Sequence, residues 1–317
     1  MKKEKTISKQ WDRIAGALYG VAVGDALGGP LEFMSPAAIH DRHGFVVDMI
    51  GGGWLSLRPG EITDDTQMTL CVAEGIAENP DDPVRAVGRR FIQWADSGPK
   101  DIGSACASSI HNAIEAGGKA PSPAEWQAAA ERTQRMALQP VEGNGALMRT
   151  VYPGLFYQSH HRAEIVAMKI ARMTHAGPRS TEACILYSRM VNLLTASESD
   201  AQDTRSVREF ILEHCQAVAE YGRAVMQLPD PAAGGYVVDS MRIAVGCLAA
   251  SESFEEAVSA AANMGGDADT NAAITGGLAG AWYGFSAIPA RWINALAPDV
   301  RVQIGRLVDA ALTARED

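Results

Sequence analysis

Two short segments hold most of the residues able to do chemistry. One is Glu61-Ile62-Thr63-Asp64-Asp65-Thr66-Gln67-Met68, which follows Gly51-Gly52-Gly53-Trp54; the other is Gly265-Gly266-Asp267-Ala268-Asp269-Thr270-Asn271. Each places neighbouring carboxylates and hydroxyls on a short loop ahead of an apolar helical pattern. Oxygen-only donors of this kind suit hard divalent cations such as Mg²⁺ and Mn²⁺. His and Cys are absent from both segments, which disfavours zinc. The plainer reading is N-capping, for which Asp and Thr are well suited. One cap needs one side chain, however, and adjacent acids repel each other unless a cation neutralises them. The helix N-terminus itself opposes a cation, so the carboxylates would have to outweigh that partial charge.

A third segment is Glu142-Gly143-Asn144-Gly145-Ala146-Leu147-Met148-Arg149. Glycines flanking Asn permit positive φ and expose backbone N–H groups, so it reads as a phosphate cradle or as a plain turn. It is not the Gly-rich dinucleotide fingerprint after a strand, and a Rossmann site is unsupported.

The elements that must position these segments read as helices. Apolar residues recur at three- and four-residue spacing, and alternation of period two is scarce. The pattern predicts helices over about 13–28, 65–78, 83–96, 102–117, 123–137, 161–173, 180–197, 204–220, 237–251, 254–263, 270–284 and 299–314. Turns at Asn79-Pro80, Ser97-Gly98-Pro99, Ala120-Pro121-Ser122-Pro123 and Leu228-Pro229-Asp230-Pro231 separate them. The expected fold is all-α, a single compact domain over 13–317 with a short polar tail over 1–12. Gly16, Gly20, Gly24 and Gly28 recur every four residues, as do Gly276, Gly280 and Gly284. Each Gly costs about 1 kcal/mol in a helix relative to Ala. Repetition on one face therefore predicts close packing of two central helices, the first leading into an acidic loop and the second following one.

Composition narrows the class. The chain has 317 residues, 47% of them hydrophobic, and a net charge of −10 from 38 acidic and 28 basic residues. That balance argues against non-specific nucleic-acid binding, which needs clustered cations. Cys71, Cys106, Cys184, Cys215 and Cys247 are widely spaced and form no C-x-x-C pair, so they read as free thiols of a cytoplasmic protein. The apolar stretch Ile14 to Leu31 contains Asp25 and five glycines. It reads as a buried helix, and no transmembrane segment or signal peptide is expected.

Read in order, Gly24-Asp25-Ala26-Leu27-Gly28 with Glu32, Thr63-Asp64-Asp65-Thr66, Gly143-Asn144-Gly145 with Met148-Arg149, Thr174-His175, and Gly265-Gly266-Asp267-Ala268-Asp269-Thr270 resemble the ADP-ribosylglycohydrolase family over residues 13–312. Gly51-Gly52-Gly53-Trp54-Leu55, Lys100-Asp101-Ile102-Gly103, Tyr236-Val237-Val238-Asp239-Ser240-Met241 and Ile288-Pro289-Ala290-Arg291-Trp292 resemble the subgroup that reactivates dinitrogenase reductase. The resemblance implies an all-α fold around a central cleft holding two Mn²⁺ or Mg²⁺ ions. Thr63, Asp64, Asp65, Asp267, Asp269 and Thr270 would be ligands, with Asp269 between the metals. Glu32 would be ligand, water activator or both. Asp101 would lie near the scissile bond, or would merely cap a helix opening at Ile102.

Gly143, Asn144 and Gly145 would hold diphosphate or ribose, and His175 would line the ribose pocket unless it is a structural hydrogen-bonder. Tyr236 would stack on adenine unless it is a core tyrosine. The implied activity is hydrolysis of the bond between ADP-ribose and an arginine of a modified protein, with the nitrogenase iron protein as the subgroup's substrate. PII-type signalling proteins and an ammonium channel would be partners, recruiting the protein to the membrane periphery. A two-metal phosphohydrolase acting on ADP-ribose and a catalytically silent binder are the competing readings. The intact acidic motifs disfavour the silent binder.

Overall fold

The computed structural model describes residues 2–138, 141–196, 204–215 and 234–316. Its helices are α1 (Lys2–Gly28), α2 (Pro36–His43), α3 (Asp64–Glu78), α4 (Val84–Asp96), α5 (Ser104–Gly117), α6 (Pro123–Met136), α7 (Val151–Phe156) and α8 (His160–Ala171). They continue as α9 (Pro178–Ala196), α10 (Thr204–Cys215), α11 (Val237–Ala250), α12 (Phe254–Asn263), α13 (Ala268–Tyr283), α14 (Ala290–Ala295) and α15 (Pro298–Glu316). Tight 3-10 turns occupy Gly29–Leu31, Asn144–Arg149 and Phe285–Ala287. Among the described residues there is no strand; the two isolated bridges join Gly52 to Leu57 and Gly143 to Tyr236. The fold is all-α, as the periodicity indicates.

The glycine ridges form the centre of the molecule. A Cβ built on Gly16 would lie 2.4 Å from the Gly280 carbonyl oxygen, one on Gly20 2.1 Å from that of Gly276, and one on Gly24 2.1 Å from that of Ala272. One on Gly28 would lie 2.3 Å from the Ala268 oxygen. The partner number falls as the glycine number rises, so α1 and α13 run antiparallel with their backbones in contact. Nothing larger than hydrogen fits between them. Tyr187 reinforces the contact by donating a 3.0 Å hydrogen bond to the Ile274 carbonyl in α13. The stretch Lys9–Leu31 is long and apolar enough to cross a membrane, but 94% of its most apolar window is buried inside the protein.

Several elements differ from the sequence expectation. Helix α1 begins at Lys2, so residues expected as a polar tail belong to it. Asp12 accepts hydrogen bonds from the Ser286 backbone N–H at 2.9 Å and hydroxyl at 3.1 Å, and Trp11 meets Phe285 edge-on at 5.7 Å. These contacts continue the helix onto the far end of α13. Helices α2, α7 and α14 span 8, 6 and 6 residues, too short to show a helical period. Helix α5 opens at Ser104, not Ile102. The turn expected at 228–231 and the end of the helix expected over 204–220 lie outside the described residues. Cys71, Cys106, Cys184 and Cys247 are free thiols, Cys71 only partly buried.

Candidate active site

The antiparallel pairing brings the C-terminal end of α1 to the N-terminal end of α13. The chain leaving α1 turns through Gly29–Leu31 and presents Glu32; the chain entering α13 presents Asp267 and Asp269. Backbone hydrogen bonds tie the two together, Phe33 N–H to the Gly266 carbonyl at 2.7 Å and Gly266 N–H to the Met34 carbonyl at 2.8 Å. Gly265 and Gly266 adopt φ of 66° and 64°, and a Cβ on Gly265 would press the Met34 oxygen at 2.3 Å. Glycine is required there because of both the left-handed backbone and the close approach.

The third strut is α3. Its first turn is fastened to α1 through Asp25, a fully buried carboxylate. Asp25 accepts from the Thr63 N–H at 3.0 Å, the Thr63 hydroxyl at 2.8 Å, the Thr66 N–H at 3.1 Å and the Thr66 hydroxyl at 2.5 Å. Asp25 therefore takes up the free N–H groups that a capping side chain would otherwise satisfy. The sequence assigned it no role; its signal was a lone acid in an apolar, glycine-ridged helix.

Capping does not explain the acidic segments. Thr63 and Asp267 stand at the N-cap positions of α3 and α13, yet neither side chain makes a cap hydrogen bond. Asp267 instead accepts from the Asn144 side-chain amide at 2.7 Å. Asp65 accepts from the Thr63 hydroxyl at 3.2 Å.

The acids of the two segments converge. Glu32, Asp267 and Asp269 each offer a carboxylate oxygen, and these atoms lie within 4.8 Å of one another. The Glu32 pKa is pushed up to about 8, by burial first and with contributions from Asp267, Asp101 and Asp64, against the hydrogen bond from Trp54. Asp64 is pushed up to about 7, by burial first and then by Asp101, Asp25 and Asp267. Burial, then their carboxylate neighbours, hold Asp65 and Asp269 well above the usual range. Among the described residues, the charged groups that act most strongly on these four are other carboxylates.

Such a cluster cannot stay ionised without cations to offset its repulsion and desolvation. Asp65 Oδ1 is buried and lacks a hydrogen-bond partner, which leaves a lone pair for a ligand. The residues present thus fit hard divalent cations, with Thr63, Asp64, Asp65, Asp267, Asp269, Thr270 and Glu32 as the available donors.

The acids open onto a cleft of about 490 Å³, lined among others by Glu32, Asp64, Asp101, Asp267, Asp269 and Thr270 and by Gly143, Asn144, Gly145 and His175. Thr63 and Asp65 are buried and do not line it. Asp101 is half-buried at the cleft, its carboxylate accepting from the Ile102 N–H at 2.8 Å. It is not the cap of α5; Gly103 occupies that position without a side-chain bond. Burial raises its pKa, and Asp267 adds to the rise. Lys100 holds the loop in place through a 2.8 Å ion pair with Glu61.

The Gly143–Gly145 segment differs from the expected cradle. Gly143 is extended at φ −74° and ψ 163°, and the positive-φ glycines do not include it or Gly145. The Asn144 N–H is taken by the Gly235 carbonyl at 3.0 Å, and its side-chain amide is shared between Asp267 and the Ser240 hydroxyl. Asn144 therefore positions an acid. The glycines matter for size: a Cβ on Gly145 would reach His175 Cε1 at 3.3 Å.

His175 is buried, its Nδ1 2.8 Å from the Thr174 hydroxyl. Burial, then the neighbouring Arg149, pushes its pKa down to about 3, so the imidazole is neutral. Arg149 is itself fully buried; it donates to Thr174 Oγ1 at 2.7 Å and to the Gly145 carbonyl, and stacks over Phe91. Tyr236 is not a core residue. It is 45% exposed and lines a neighbouring cavity of about 1060 Å³ that adjoins the cleft through Ser104, Ala105, Gly143 and Gly235. The larger cavity contains none of the candidate metal-binding acids. A nucleotide spanning both could place its ribose over the acids and its base against Tyr236.

Comparison with known proteins identifies the family. The ADP-ribosylglycohydrolase family profile matches residues 6–317. An ADP-ribosyl-[dinitrogen reductase] glycohydrolase of Rhodospirillum rubrum is 33% identical over 95% of this chain and 96% of its own length. An ADP-ribosylarginine hydrolase of Serratia proteamaculans is 31% identical over 93% of this chain and 78% of its own. A solved structure described as an ADP-ribosylglycohydrolase-related protein complex superposes with a TM-score of 0.80 at 29% identity, covering 97% of this chain and 99% of that one. The chain belongs to the ADP-ribosylglycohydrolase family and is a hydrolase of that class.

Proposed function

We propose that this protein hydrolyses the N-glycosidic bond joining ADP-ribose to an arginine side chain of a modified protein. The observation that carries the reading is the buried carboxylate cluster, whose acids have no ion-pair partner among the described residues and which opens onto a cleft of about 490 Å³. Thr63, Asp64, Asp65, Asp267, Asp269, Thr270 and Glu32 would hold two Mn²⁺ or Mg²⁺ ions. When bound, these would act as Lewis acids that orient the vicinal ribose hydroxyls.

The chain's own residues then meet the demands of the reaction. Cleaving an N-ribosyl bond builds positive charge at the anomeric carbon and ring oxygen, which an anionic floor stabilises. Water must lose a proton and the leaving guanidine must gain one. Glu32 and Asp101 both line the cleft, and between them they can accept and deliver these protons. Neutral His175 can hydrogen-bond a ribose or phosphate oxygen through the ring nitrogen that faces Gly143. Tyr236 offers an exposed aromatic face to adenine.

The relative named for dinitrogen reductase makes the nitrogenase iron protein the first target to try; a cytoplasmic setting and PII-type control are proposed with it, on the sequence resemblance alone. The test is to incubate the protein and Mn²⁺ with arginine-, serine- and ester-linked ADP-ribosyl proteins and identify the products by mass. Intact ADP-ribose from the arginine-linked protein is expected. AMP would mark a phosphohydrolase instead, and no release would leave a binding protein.

A further inference from the structure

Phe33 is out of place by two physical criteria. It is 69% exposed, and its backbone lies at φ 62°, a left-handed conformation that a bulky side chain rarely adopts. Strain and exposure together cannot be explained by packing, and strain of this kind is retained where a function needs it. The backbone is held in place by the Phe33 N–H bond to the Gly266 carbonyl. That bond turns the ring onto the lip of the acidic cleft.

Trp54 stands beside it, 51% exposed, with ring centroids 5.4 Å apart and planes inclined by 44°. The indole is fixed by a 2.5 Å hydrogen bond from Nε1 to Glu32. Its loop is held by Gly53, where a Cβ would press the Pro30 Cα at 2.9 Å. Both rings line the same cleft as Glu32 and Asp101. Two exposed aromatic faces beside carboxylates are complementary to one ligand class: a flat, weakly hydrated cation. A guanidinium stacks on aromatic rings while its edge donates to carboxylates.

We propose that Phe33 and Trp54 form the clamp for the leaving side chain, the ADP-ribosylated arginine guanidinium lying against their faces with its N–H edge toward Glu32 and Asp101. This specificity role rests on the functional reading above. It accounts for the strain at Phe33 and gives Trp54 two tasks, orienting Glu32 and supplying a face.

The test uses Phe33→Asn, Trp54→Leu and Trp54→Phe in the metal-loaded full chain, with ADP-ribosyl-arginine as substrate and free ADP-ribose as competitor. Asn tolerates the left-handed backbone, so Phe33→Asn should melt no lower than the wild type. Its KM for ADP-ribosyl-arginine should rise on the order of tenfold, while the inhibition constant of ADP-ribose, which lacks the guanidine, stays the same. Trp54→Leu should raise KM likewise, and Trp54→Phe should recover most of the loss. An unchanged KM in Phe33→Asn would overturn the proposal, and so would parallel rises in KM and in the ADP-ribose constant. If the wild type itself releases nothing from ADP-ribosyl-arginine, the functional reading fails and the clamp fails with it; a working wild type matched by its variants defeats the clamp alone.

Discussion

Asp101 accepts a hydrogen bond from the N–H of its own neighbour, Ile102, and caps no helix. Removing its carboxylate should therefore disturb chemistry far more than folding. Asp101→Ala should keep metal content, ADP-ribose affinity and melting temperature close to the wild type, and slow single-turnover release from ADP-ribosyl-arginine by about 10²- to 10⁴-fold, the range for a proton-transfer group. A variant that loses stability but keeps its rate would reassign Asp101 to the scaffold. Asp25 is the contrasting residue. It is buried and bonded to Thr63 and Thr66, so it acts through the position of α3. Asp64, Asp267 and Asp269 were legible in the sequence because oxygen donors crowd two short segments, whereas Glu32 and Asp101 lie outside both and entered only through the family resemblance. Asp25 was not, because its partners lie 38 and 41 residues away. Nor was the task of Asn144: its flanking glycines suggested a cradle, whereas its amide bonds Asp267, 123 residues distant.

At the scale of elements, the glycine ridge decides where the site forms. A regular four-residue spacing is local information, so the α1–α13 contact could be read before the structure. The short helices α2, α7 and α14 could not, since one or two turns show no period. Nor could the true start of α1, because its first residues are polar and its anchors on Phe285 and Ser286 are remote. The ridge makes a quantitative expectation. Gly20→Ala places a Cβ 2.1 Å from a backbone oxygen and cannot be relieved by a rotamer change. It should destabilise by about 1–3 kcal/mol, the usual range for overpacking, despite the better helix propensity of Ala. Gly305, inside α15, has nothing within 4 Å of its would-be Cβ. There Gly305→Ala should stabilise by roughly 0.5–1 kcal/mol. Urea denaturation of both variants checks the contrast. Equal effects would mean that the ridge is not a tight contact.

For the whole molecule, the acids come from three separate places: the turn after α1, the first turn of α3 and the entry to α13. A cation held among them joins these elements, so metal should raise global stability as well as activity. Saturation at a hundred times Kd corresponds to about 2.7 kcal/mol. The helix N-termini of α3 and α13 both oppose a cation, which the surrounding carboxylates must overcome. The most direct measurement follows both quantities in one titration: Mn²⁺ bound per chain, and release of ADP-ribose from an arginine-linked protein, starting from exhaustively chelated protein. Release should be absent at the start, rise with occupancy and level off when two ions are bound. Full release from a verified metal-free preparation would contradict the assignment of the carboxylate cluster.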